Sequence, residues 1–187
     1  MNFSEFSTRE LHQAPKVHQV DGWTLEYQSF CNEENASKSP ALFLGGAFQN
    51  FASFRFEAET MYGTHPVIML DLPSQGSNQQ LAPDMELEDF ADLIKQFLDD
   101  HGIKKVIPIG VSYGSVMASL FAAKYPEYAE SLLVSGVTCL RRKALVALLE
   151  DSLSLLEQNR MDEFATTAVT NLVNHCHLAD TEVSPTY

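Results

Sequence analysis

Four short apolar runs constrain this chain more than any other feature: ALFLGG at 41–46, VIML at 67–70, VIPIGV at 106–111 and SLLVS at 131–135. A strand covered on one face alternates polar and apolar residues. These runs are apolar throughout, the pattern of strands buried on both faces. Between them lie segments of helical character. Phe51, Phe54 and Phe56 lead up to Met61, and Leu87, Phe90, Leu93, Ile94, Phe97 and Leu98 recur at helical spacing before Gly102, where a helix stops. Tyr113 to Lys124 forms the next helix. Strands alternating with helices predict an α/β protein, a mostly parallel sheet with helices on both faces.

Upstream, Lys16–Asp21 and Thr24–Phe30 alternate around Asp21-Gly22, a hairpin turn signal. Residues 1–16 are polar and without periodicity, which predicts a loose arm. The core is expected over 17–140. Beyond it, 141–158 and 161–175 read as two helices of a cap-like segment, 141–187, and no further apolar strand follows before Tyr187. The pattern is that of a sheet truncated after its sixth strand. SLLVS then becomes an apolar edge, so self-association through 131–135 is expected.

The 187 residues suit one domain. Twelve basic residues against twenty-five acidic ones give a net charge of −13, which disfavours nucleic-acid binding. Three cysteines (Cys31, Cys139 and Cys176), no visible secretory signal and no membrane-length apolar run predict a soluble cytoplasmic protein.

The third apolar run ends in Gly110-Val111-Ser112-Tyr113-Gly114. A strand that turns sharply into a helix at Gly-x-Ser-x-Gly lifts the serine above the carboxyl ends of a parallel sheet. The flanking positions must be small, and Ser112 then sits at a helix N-terminus. There the Tyr113 N–H is available to a developing oxyanion.

With these residues the sequence resembles the α/β-hydrolase superfamily over about 17–140. LFLGGAFQN (42–50) looks like its oxyanion loop, with Gly45 where a histidine usually stands. DLPSQGSN (71–78) looks like the loop after its fourth strand, with Ser74 and Gln75 replacing Gly and His, and GVSYGS is the elbow. The resemblance implies Ser112 as nucleophile, the N–H groups of Ala47 and Tyr113 as oxyanion donors, and a loop-shaping role for Asp71. GGAFQNFASF and VIMLDLPSQGSN are also similar to the acyl-transferring branch that makes hydroxyacyl dimers for rhamnolipids and polyhydroxyalkanoate precursors. That branch carries a tryptophan where Tyr113 stands.

A serine hydroxyl needs a histidine to take its proton and a carboxylate to orient that histidine. His12 and His18 lie in or beside the arm, and His65 and His101 precede strands, at the sheet end opposite Ser112. His175 and His177 are the candidate bases, in a region able to fold over the site. Residues two apart do not ligate jointly on a helix or strand, so no metal is expected, and no cofactor either. Phe48 and Phe51 are candidate substrate-lining residues, while Phe54 and Phe56 can as easily pack a helix on the sheet. Arg141-Arg142-Lys143 read as a solvated helix start.

The expected function is a serine-dependent hydrolase of carboxylic esters or thioesters, with a small-molecule acyl substrate. The alternatives are an acyltransferase with a 3-hydroxyacyl acceptor and a non-catalytic chain lacking the triad histidine and acid.

Overall fold

A computed structural model describes residues 1–137, apart from 12, 79 and 83, and residues 143–172. The chain divides into two compact units, Met1–Val137 and Thr138–Tyr187.

In the first unit the apolar runs pair as their composition requires. β1 (Lys16–Val20) and β2 (Trp23–Phe30) form an antiparallel hairpin. Its turn places Asp21 at φ 48° and Gly22 at φ 83°, the left-handed pair that matches the twist of the flanking strands. β2 pairs antiparallel with β4 (Val67–Asp71). β3 (Ala41–Leu44), β4, β5 (Ile107–Val111) and β6 (Leu133–Ser135) run parallel, in the order β1-β2-β4-β3-β5-β6. This six-stranded mixed sheet is the expected α/β architecture.

Side chains divide between its faces with a period of two. Leu42, Leu44, Ile68 and Leu70 point into a core shared with Phe90, Ile94 and Phe97 of α3 (Leu87–Asp100) and with Met117 and Phe121 of α4 (Tyr113–Lys124). Phe43, Val67 and Met69 point the other way. They pack on Phe51 and Phe54 of a single 3-10 turn, Phe51–Phe54, and on Ala58 of α2 (Arg55–Tyr62).

The N-terminal residues, expected to be a loose arm, dock on the sheet: Met1 and Phe3 pack on the first core, and Phe6 and Leu11 on the second. Ser4 donates its N–H to Ser29 O at 3.1 Å and accepts the Cys31 N–H at 3.0 Å. The Phe6 ring lies 5.0 Å from that of Phe30, and Leu11 of α1 (Thr8–Leu11) is buried. Phe6 and Leu11 cover apolar surface that α2 leaves open, a role that polarity averaged over the segment hides.

The start of α4 rests on the strand ends without side chains between. A Cβ on Gly114 would lie 2.0 Å from Leu44 O, and one on Gly110 would lie 2.3 Å from Gly114 O. At the far edge, β6 is shorter than the apolar run that suggested it, and Leu133 and Val134 are 49% and 41% exposed.

In the second unit α5 (Lys143–Glu157) and α6 (Met161–Leu172) are joined through Asn159 at φ 56°. Arg160 Nε donates to Glu163 Oε1 at 2.7 Å at the start of α6. Leu145, Leu149, Leu153 and Leu156 of α5 are exposed.

Two predictions follow from this packing. Gly114→Ala, which forces helix and sheet apart, lowers the stability measured by urea unfolding by about 3 kcal/mol or more. Gly63→Ala, in ordinary contact 3.5 Å from Thr60 O, changes it by less than about 1 kcal/mol. We also propose that the 187-residue chain self-associates through β6, whose outer edge pairs with no strand among the described residues. Light scattering then shows concentration-dependent oligomers that Val134→Lys weakens, since a lysine on an edge strand opposes pairing.

Candidate active site

The turn between β5 and α4 holds Ser112 at φ 52° and ψ −116°, a conformation that costs a non-glycine residue about 1–3 kcal/mol. Several contacts hold it there. Ser112 donates its N–H to Ser135 O at 2.8 Å, and Ser115 N–H reaches Ser112 O at 2.9 Å. The fully buried Ser115 Oγ lies 2.8 Å from Gly110 O and 2.7 Å from Ser135 O. Tyr113 follows as the first residue of α4, where no preceding turn offers its N–H a helical partner. Among the described residues it has none.

The loop after β3 passes directly beside this serine. A Cβ on Gly46 would lie 3.2 Å from Ser112 Cβ and 3.0 Å from Val111 O. Gln49 folds the loop on itself, donating its N–H to Gly46 O at 3.2 Å and accepting the Gly46 N–H on Oε1 at 2.8 Å. Ala47 and Phe48 stand out from that turn, Phe48 at φ 63° and 80% exposed. The Ala47 N–H has no partner among the described residues. The structure therefore brings Ser112, Ala47 and Tyr113 to one end of the sheet.

A cavity of about 550 Å³ opens there. It is lined by residues 46–50 of the β3 loop, residues 74–76 of the β4 loop, and Tyr113, so no charged side chain among the described residues lines it. Gln75 straps the two loops together. Its Oε1 accepts the Leu72 N–H at 3.1 Å and its Nε2 donates to Gly45 O at 3.3 Å.

Phe48 lines the cavity, but Phe51, expected beside it, is turned into the core. The cause is local. Asn50 caps the 3-10 turn by accepting the Ala52 N–H on its side chain at 3.0 Å, and this rotates the next residue onto the sheet. Phe54 is buried likewise, and Phe56 points to solvent.

No described histidine lines the cavity. His18 Nε2 pairs with Asp100 at 2.9 Å, and His65 Nδ1 lies 2.9 Å from Thr64 Oγ1. His101 stacks between Phe97 and His18, where burial and then the neighbouring His18 push its pKa down to about 4. His12, His175 and His177 lie outside the described residues. No cluster of histidine, cysteine and carboxylate side chains able to hold a metal occurs among the described residues. None of the described helices is long and apolar enough to cross a membrane.

Gln49 and Gln75 carried no signal as site residues. Gln75 stands where the resembling family has a histidine, but its strap depends on side-chain direction. Asp71 is also unusual. It is 1% exposed, and burial raises its pKa from the ordinary 3.8 to about 7, aided by Glu26 and opposed by the Phe51 N–H. Its ionisation therefore disfavours the folded state: the contribution of Asp71 to stability is greatest below about pH 4, falls toward pH 7 and levels above it. Asp71→Asn removes that fall. Urea unfolding finds the variant equal to the parent near pH 4 and more stable at pH 8, by up to about 4 kcal/mol.

Comparison with known proteins agrees with this fold. A family model described as alpha/beta hydrolase fold matches residues 40–172. Ethanol acetyltransferase 1 of Cyberlindnera jadinii is 30% identical over 107 residues, covering 56% of this chain and 32% of that protein. A probable alcohol acetyltransferase of Cyberlindnera fabianii is 25% identical over 133 residues, 68% of this chain and 36% of the relative. The chain thus spans about a third of the length of these curated relatives. Among solved structures, a hydrolase from Pseudomonas aeruginosa superposes with a TM-score of 0.76 at 16% identity, covering 91% of this chain and 63% of its own. MGS-M2, an alpha/beta hydrolase enzyme from a deep-sea metagenome library, gives 0.74 at 18% identity, covering 82% and 56%.

Proposed function

The chain belongs to the alpha/beta hydrolase fold family, and we propose that it carries the acyl-accepting half of a serine-dependent acyl-transfer site. One observation carries this reading. Ser112 is held in a strained backbone conformation beside two backbone N–H groups, of Ala47 and Tyr113, that have no protein partner among the described residues. Strain of this kind persists where the surroundings over-determine it, commonly at reactive positions.

In this reading Ser112 Oγ attacks the carbonyl carbon of an ester or thioester and loses its proton to a base. The carbonyl oxygen becomes an oxyanion held by the N–H groups of Ala47 and Tyr113. Collapse of that intermediate expels the alcohol or thiol with a proton and leaves an acyl-Ser112 ester. An acceptor hydroxyl then attacks the ester and regenerates the serine. His175 and His177 remain the candidate bases. A cavity whose described lining carries no charged side chain suits a neutral acyl group.

Water as acceptor makes the protein a hydrolase. A second reading, an alcohol as acceptor, is favoured by the relatives named ethanol and alcohol acetyltransferases.

A fluorophosphonate probe with intact-mass readout tests the nucleophile: the parent chain gains one adduct and Ser112→Ala gains none. A folded parent chain that gains no adduct overturns the reading. With a short acyl thioester and excess ethanol, Ser112→Ala lowers turnover by about 10⁴-fold. Ester among the products assigns the alcohol as acceptor, and free acid alone assigns water.

A further inference from the structure

Asp71 ends β4 as a buried carboxyl whose Oδ2 has no hydrogen-bond partner among the described residues, and the acyl-transfer steps above do not use it. Its surroundings are the two loops that wall the cavity. From the end of the β3 loop, the Phe51 backbone N–H faces the carboxyl and favours its ionised form. From the other side the β4 loop turns back at Gly76, at φ 57°. A Cβ there would lie 1.9 Å from Asp71 Oδ2 and 3.2 Å from Asn50 Cβ. Asp71, Gly76 and Asn50 therefore meet at one point behind the cavity wall, with no room for a further atom.

The charges around this point are one-sided. Glu26 of β2 stands opposite Asp71 in the strand register and raises its proton affinity. Glu26 is itself held by the Ser77 hydroxyl. β3 and both loops, 45–51 and 72–78, carry no charged side chain. Arg55, Glu57 and Glu59 of α2, which packs on β4, are not among the groups that act on Asp71.

We propose that Asp71 is a proton-dependent positioning residue: neutral, it lets loops 45–51 and 72–78 close on each other; ionised, it drives them apart and opens the cavity wall. A neutral carboxyl tolerates the dry, crowded point where it sits. A carboxylate there has no cation among the described residues and must gain water or further N–H donors. Either requires Gly76 to retreat, since it already occupies the space beside Oδ2. The step is an exchange of one proton with solvent, and no other bond changes. It does not depend on what Ser112 does, so each idea can fail without the other.

Hydrogen exchange by mass spectrometry on the full 187-residue chain tests this, with rates corrected for the intrinsic effect of pH. The expected result is that protection of segments 45–51 and 72–78 falls about tenfold between pH 6 and pH 8, following the ionised fraction. Asp71→Asn, neutral at every pH, then shows no such change. A fall of equal size in Asp71→Asn, or none in the parent chain, overturns the proposal. Carbon-13 NMR of the aspartate carboxyls in the parent chain provides a reading that needs no variant. An Asp71 midpoint near pH 7, shared by the Phe51 and Gly76 amides, supports the proposal, and a midpoint below pH 5 overturns it.

Discussion

Direct contact between the α4 backbone and the strand ends sets the geometry on which the rest of the site depends. Gly114 lies against the Leu44 carbonyl and Gly110 against Gly114, so the helix begins in direct contact with the strand ends. The chain then has a single residue, Ser112, in which to reverse from strand to helix, and its positive φ is the consequence. The helix start leaves the Tyr113 N–H without a helical partner. The same closeness brings Gly46 against the Ser112 side chain, and with it the loop that carries Ala47. A single methyl at either glycine would lift the helix and separate serine, loop and N–H groups together.

This dependence explains which parts of the molecule can be read from its sequence. β3, β4 and β5 are buried on both faces, so their composition alone identifies them. Gly110, Ser112 and Gly114 are readable because backbone sterics dictate their types at a fixed spacing. Side-chain direction is not dictated in this way. Phe48 and Phe51 look equivalent in the sequence, yet the Asn50 cap sends one to the cavity and the other to the core. Phe6 and Leu11 look like parts of a polar arm because their apolar partners, Phe30 among them, lie far along the chain. Gln49 and Gln75 act through amides that bind backbone atoms of neighbouring loops, and no local pattern records that.

In the proposed acyl transfer, water and an alcohol would attack the same acyl carbonyl under the same two N–H groups. Ser112, Ala47 and Tyr113 therefore do not distinguish a hydrolase from an acyltransferase. The choice rests on what surrounds the acyl group after the first leaving group departs: how far water is excluded, and whether an apolar surface receives an alkyl chain. Phe48 is the large apolar side chain that the β3 loop holds over the cavity, and its position comes from a left-handed backbone conformation. The solved neighbours quoted above are called hydrolases and the curated relatives acetyltransferases. A shared fold with different acceptors is what such a division of labour between elbow and loops produces.

The two loops of the cavity are joined by fastenings of different kinds. Gln75 binds Leu72 and Gly45 through an amide, which neither gains nor loses a proton between pH 4 and pH 9. A histidine at that position would add a second titrating group across the same gap. With glutamine there, the strap between the loops is constant, and the ionisable side chain wedged between them is Asp71. Any pH dependence of the wall then resides in one buried carboxyl, packed against Gly76 and set directly behind the residues that line the cavity.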